Sequence, residues 1–80
     1  MTEQLKQILR ITKGLGDKAM EATAYENLGT AFHNLGDFTK AVEYHSLALN
    51  LAKDLGNEAG EGRAYGKVVK GARMAHLASF

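Results

Sequence analysis

The sequence contains no cysteine, no proline and no tryptophan. Without cysteine there is no disulfide framework and no thiolate metal site, and a reducing, cytoplasmic setting is the expected home. Without proline, no helix is forced to stop by a missing N–H, so the punctuation must come from other residues. Long apolar runs are absent too, whereas a membrane-spanning helix needs about 20 apolar residues in succession. The opening stretch, MTEQLKQILR, carries an acid and alternating polar positions and does not read as a secretory signal. Neither sign of charge dominates. Ten Lys and Arg face nine Asp and Glu, a formal net charge of +1, which by itself points to no nucleic-acid or membrane partner. The 80 residues make one small domain at most, one that buries only about 60–65% of its unfolded surface.

What is present repeats. LGDKAMEATAY begins at Leu15 and LGNEAGEGRAY begins at Leu55, with identities at Leu15/Leu55, Gly16/Gly56, Ala19/Ala59, Glu21/Glu61, Ala24/Ala64 and Tyr25/Tyr65. A stretch that returns at a fixed offset marks repeat architecture. Leu-Gly followed by Asp or Asn also occurs at Leu35, between the two. Each such triplet predicts a helix end and a helix start: glycine closes one helix in the left-handed conformation, and the Asp or Asn side chain caps the next. Four helices are therefore expected, about Glu3–Lys13, Lys18–Asn34, Phe38–Asp54 and Glu58–Leu77, in an all-α fold with antiparallel neighbours.

Spacings of three and four place Ala24, Tyr25, Leu28, Ala31, Phe32 and Leu35 on one side of the second helix, with Thr23, Asn27, Thr30 and Asn34 on the other. The third helix has its apolar stripe at Phe38, Ala41, Val42, His45, Ala48, Leu49 and Ala52. A core of Tyr25, Leu28 and Phe32 against Val42, His45 and Leu49 follows. Gly29 interrupts a helix at a cost of about 1 kcal/mol against alanine, which predicts a close approach by the neighbouring helix.

These residues resemble the tetratricopeptide repeat: Tyr25, then Leu28-Gly29, then Phe32, with Ala41 and Ala48 on the following helix. The forty-residue spacing and the wording NLGTAFHNLGDFTKAVEYH are most similar to repeats of the LGN/Pins group of polarity scaffolds. The resemblance implies a four-helix TPR-like α-solenoid fragment. Residues 1–14 would be a half repeat of the second-helix type, 15–55 a complete repeat, and 56–80 a half repeat of the first-helix type. The last helix departs from the pattern, with Lys67-Val68-Val69 in place of NLG and Ala72 in place of the second aromatic.

In that superfamily the first-type helices line a groove that binds peptide segments. The resemblance implies a peptide site at Thr23, Asn27, Thr30, Asn34, Arg63, Lys67 and Lys70, with Glu26, His33 and Arg73 at its edge. Asn27 is the expected backbone anchor, because an amide both donates and accepts. Arg63 offers a planar fork to a carboxylate, with Lys67 and Lys70 as point charges beside it. A solvated helix face is the plainer reading of the same residues.

No cofactor, metal site or catalytic group is implied. His33 and Asp37 lack a third ligand and are separated by Gly36, and Ser46 beside His45 has no acid to orient the pair. Nucleic acid is disfavoured on the expectation that Tyr65 points to the core, leaving no aromatic among the cations. A membrane surface is weaker still, because the apolar side is rich in alanine. The leading expectation is thus a non-enzymatic scaffold module for a protein or peptide partner. The alternative is a structural module that self-assembles, as a swapped dimer or a head-to-tail oligomer, through the apolar faces of its first and last helices.

Overall fold

The computed structural model describes residues 3, 4, 6, 7 and 17–78, and among these the chain is all-α with no strand. Three helices run in succession: α1 (Lys18–Asn34), α2 (Phe38–Asp54) and α3 (Glu58–Ala78). Residues 3, 4, 6 and 7 are also helical, and the remainder of the helix expected at Glu3–Lys13 lies outside the described residues. So does the first of the three Leu-Gly turns, apart from Asp17.

The two described turns are built alike. The Gly36 N–H donates to the His33 carbonyl (3.0 Å) and the Asp37 N–H to the Phe32 carbonyl (2.9 Å). Twenty residues later the Gly56 N–H donates to Lys53 (3.1 Å) and the Asn57 N–H to Ala52 (2.9 Å). This pair of bonds satisfies helix-end carbonyls and requires a left-handed residue after the cap, which Gly36 (φ 83°) and Gly56 (φ 69°) supply. The next helix starts at once. Asp17, Asp37 and Asn57 each accept a hydrogen bond from the N–H three residues on, at Met20 (3.1 Å), Lys40 (3.3 Å) and Gly60 (3.0 Å). One triplet therefore does two jobs, and reversal of the chain follows from its shortness.

Helix α2 packs on both of its neighbours, whereas α1 and α3 do not pack extensively on each other. Leu28 is fully buried and, with Phe32 and Ala41, forms the centre of the α1–α2 interface. Fully burying a leucine contributes about 1.5–3 kcal/mol. The aromatic that completes this core is Tyr44, stacked on Phe32 at 5.4 Å and tilted against Tyr25 at 6.1 Å. Tyr44 takes the place that the apolar stripe assigns to Val42 and Leu49. The correction has a geometric cause: α2 is covered on two sides, so Val42 belongs to α3 instead, lying where Gly71 leaves room for it. Val42 and Leu49 are half-buried.

His45 is the one buried polar side chain among the described residues, at 3% exposure. Its ring lies directly over Gly29, so a Cβ at that position would sit 2.6–2.7 Å from three ring atoms. The helix-breaking residue is therefore the seat of the imidazole, and the expected close approach has a named occupant.

Candidate functional site

Antiparallel packing of α2 on both neighbours sets α1 and α3 side by side, with a cleft between them. Thr30, His33 and Asn34 come from α1, His45 from α2, and Lys67 and Lys70 from α3, around a volume of about 180 Å³. That is room for a group the size of one side chain. Lys67 and Lys70 are in register because three residues bring the helix nearly full turn. Among the described residues neither takes part in an ion pair.

The cleft surrounds a group held in an unfavourable state. Burial pushes the His45 imidazole below the ordinary histidine value of 6.5; the Lys67 ammonium pushes the same way, Glu26 opposes, and His33 adds a further lowering. Its Nδ1 is buried and has no hydrogen-bond partner. Uncompensated buried polar atoms are exceptions in folded proteins, and each has a specific reason.

The residues expected to form one peptide site are divided among three places. Thr30, Asn34, Lys67 and Lys70 meet in the cleft. Thr23 and Arg63 lie farther along, in a second hollow with Glu26, Ala48, Ala52 and Asn57. Arg63 is engaged there: its Nε stands 3.7 Å from a Glu26 carboxylate oxygen, tying α3 to α1. Asn27 shares neither hollow with a cation. Among the described residues it lines a shallow depression with Ala19, Met20, Thr23 and Ala24 of the same helix. All four polar positions of α1 are exposed, as expected. His45 was read from the sequence as a packed residue only; its contribution to the cleft depends on α3, which its own helix cannot reveal.

Tyr65 requires a correction as well. It is 62% exposed, not turned to the core. Two residues separate Tyr65 from Arg63 and from Lys67, about 200° around a helix. The exposed ring thus lies on the far side of α3 from Arg63 and Lys67, while Arg73, eight residues on, stands about 80° from it.

No helix among the described residues is long and apolar enough to cross a membrane. No family model matches the chain, and no solved structure matches it. A curated relative is Protein FLUORESCENT IN BLUE LIGHT, chloroplastic, from Arabidopsis thaliana, 29% identical over 65 residues. The match takes in 81% of this chain, but the chain spans only about 21% of that protein's length.

Proposed function

We propose that the chain is a non-enzymatic protein–protein interaction module of the tetratricopeptide type, which binds a peptide segment in the groove lined by α1 and α3. The observation that carries this reading is the convergence of α1 hydroxyl and amide groups with two α3 lysines on one cleft. The matching caps and turns that separate the helices support its repeat character. Peptide ligands with acidic side chains suit such a surface, because lysine offers three donors and a full charge with no acceptor. A cytoplasmic setting belongs to the same reading and is supported by the absence of cysteine.

The test is a heteronuclear NMR titration of the labelled chain with acidic and neutral peptides of equal length. Acidic peptides should shift amides of residues 30–34 and 67–70 in a saturable way. Lys67→Ala with Lys70→Ala should weaken them and leave neutral peptides unchanged. Shifts scattered over all three helices, or none, would reject a groove.

A second reading, self-association, is favoured by one observation. Tyr65, Val69 and Leu77 are 62%, 39% and 59% exposed on α3, although fully burying each contributes about 1.5–3 kcal/mol. Homo-oligomerisation, with a dimer as the simplest closed form, would cover them. Light scattering during size-exclusion chromatography separates the two readings, and a monomer at micromolar concentration removes this one.

A further inference from the structure

We propose that the α1–α3 cleft is an oxyanion site in which His45 binds beside Lys67 and Lys70, taking up a proton as the anion arrives. The site accepts a single carboxylate or phosphate group carried on a peptide side chain. This deepens the peptide-binding reading and rests on it.

Four observations converge. The cleft, at about 180 Å³, has room for a carboxylate or phosphate group. Two ammonium groups line it on α3 while Thr30 and Asn34 supply neutral donors from α1. His45 lines it from α2, is 3% exposed, and has an Nδ1 with no partner. Gly29 keeps that ring in place at the cost of helix propensity, so the seat of the imidazole is fixed before any ligand comes.

The charges around His45 make the coupling directional. From α1 it faces Glu26 and His33, and from α3 it faces Lys67. Burial and the Lys67 ammonium favour the neutral imidazole. An anion seated between Lys67, Lys70 and His45 opposes this, since it offsets the repulsion by Lys67 and stabilises the imidazolium directly. Binding then takes up a proton at His45. By linkage, affinity rises as pH falls through the range where His45 titrates, provided the ligand stays ionised.

The experiment follows the ring Cε1–H resonances of the three histidines in the full chain against pH. The titration is run alone and then with three blocked tripeptides: acetyl-Ala-Glu-Ala-amide, acetyl-Ala-phosphoserine-Ala-amide and acetyl-Ala-Gln-Ala-amide. The expected result is an upward move of the His45 midpoint with an anionic peptide and none with the glutamine peptide. Affinity for the glutamate peptide should be about threefold or more tighter near the acid end of the His45 titration than above it. A shift with the glutamate peptide assigns the site to carboxylates, and one with the phosphoserine peptide alone assigns it to phosphates. Because phosphate itself titrates near pH 6, its arm is scored by the histidine midpoint, not by affinity.

His45 also packs on Gly29, so its replacement disturbs the fold. Lys67→Met instead removes a charge at the rim, and should abolish the ligand-induced shift while the far-ultraviolet spectrum stays native. If anionic peptides bind with the His45 midpoint unmoved, the proton-linked site is wrong and the peptide groove survives. If all three peptides bind equally, charge recognition is wrong. If none binds, the groove itself falls with it.

Discussion

Helices α1 and α3 share Ala19/Ala59, Glu21/Glu61, Ala24/Ala64 and Tyr25/Tyr65 at a forty-residue offset and use the shared tyrosine differently. Tyr25 is 6% exposed while Tyr65 is 62% exposed. Leu28 is fully buried while its counterpart Val68 is half-buried, and Phe32, at 7%, is matched by an exposed Ala72. The cause lies in α2. It covers α1 on the face of Tyr25, Leu28, Gly29 and Phe32, and it meets α3 on a different face, that of Gly60, Ala64 and Gly71. The same tyrosine is core on one helix and surface on the other because burial is set by the neighbour, not by the side chain. Where no described helix covers the face, the sequence has already drifted: Gly29 becomes Val69, and the second aromatic is gone.

Truncation at paired positions should break this symmetry most visibly. Tyr25→Ala and Leu28→Ala remove buried mass beside Tyr44 and Phe32, and losses of about 2–5 kcal/mol are expected. Tyr65→Ala should fall within about 0.5 kcal/mol, as for other surface changes. Urea melts of the three variants check it. Equal losses for Tyr25 and Tyr65 would mean that Tyr65 is covered in solution, and the self-association reading would gain.

Glycine substitutions should differ in sign. At Gly29 an added methyl meets the His45 ring at 2.6 Å, and overpacking costs about 1–3 kcal/mol against a propensity gain of about 1. At Gly66 nothing lies within 4 Å of the new carbon, so Gly66→Ala should stabilise by as much as about 1 kcal/mol. Thermal melts that move in the same direction for both would show the His45 seat to be soft.

The same comparison shows how far the sequence could be read. The helix limits were legible because three kinds of signal coincide at each turn: a leucine, a left-handed glycine and a short capping side chain. Gly29 was legible as a close approach, since a helix bears that cost only for packing. Tyr65 was not, because its periodicity is that of Tyr25 and nothing in α3 states what lies opposite. The cleft was half legible. Thr30, Asn34, Lys67 and Lys70 follow from helical faces, but the seclusion of Asn27 on α1 and the diversion of Arg63 to Glu26 depend on the offset between two helices that α2 alone determines.

A smaller effect should appear with pH. The folded chain lowers the His45 value below 6.5, so it favours the neutral ring, and the unfolded chain binds more protons at acid pH. Stability is therefore complete above about 6.5 and declines as pH falls through that value toward the lowered one. Chemical melts on either side of the histidine range check the sign. An anionic ligand in the cleft should flatten the decline, because it raises the His45 value in the folded state.

The smallest expected effect concerns Arg63, and it decides which part of the molecule that residue serves. Arg63 was expected to hold a ligand carboxylate, yet it stands 3.7 Å from Glu26, with the arginine side chain 58% exposed and the glutamate 21%. Exposed pairs contribute about 0–1 kcal/mol and weaken with salt. A double-mutant cycle of Glu26→Gln and Arg63→Gln should give a coupling in that range at low salt and near zero at high salt. The binding side of the cycle is the sharper one. If Arg63 belongs to the fold, Arg63→Gln leaves affinity for acidic peptides almost unchanged, while Lys67→Ala lowers it. If Arg63 exchanges Glu26 for the ligand, Glu26→Gln should strengthen acidic peptides by releasing the guanidinium, and Arg63→Gln should cancel that gain. Titrations of the two single variants and the double variant with one acidic peptide distinguish these outcomes. The second would extend the anion-binding surface from the cleft along the whole face shared by α1 and α3.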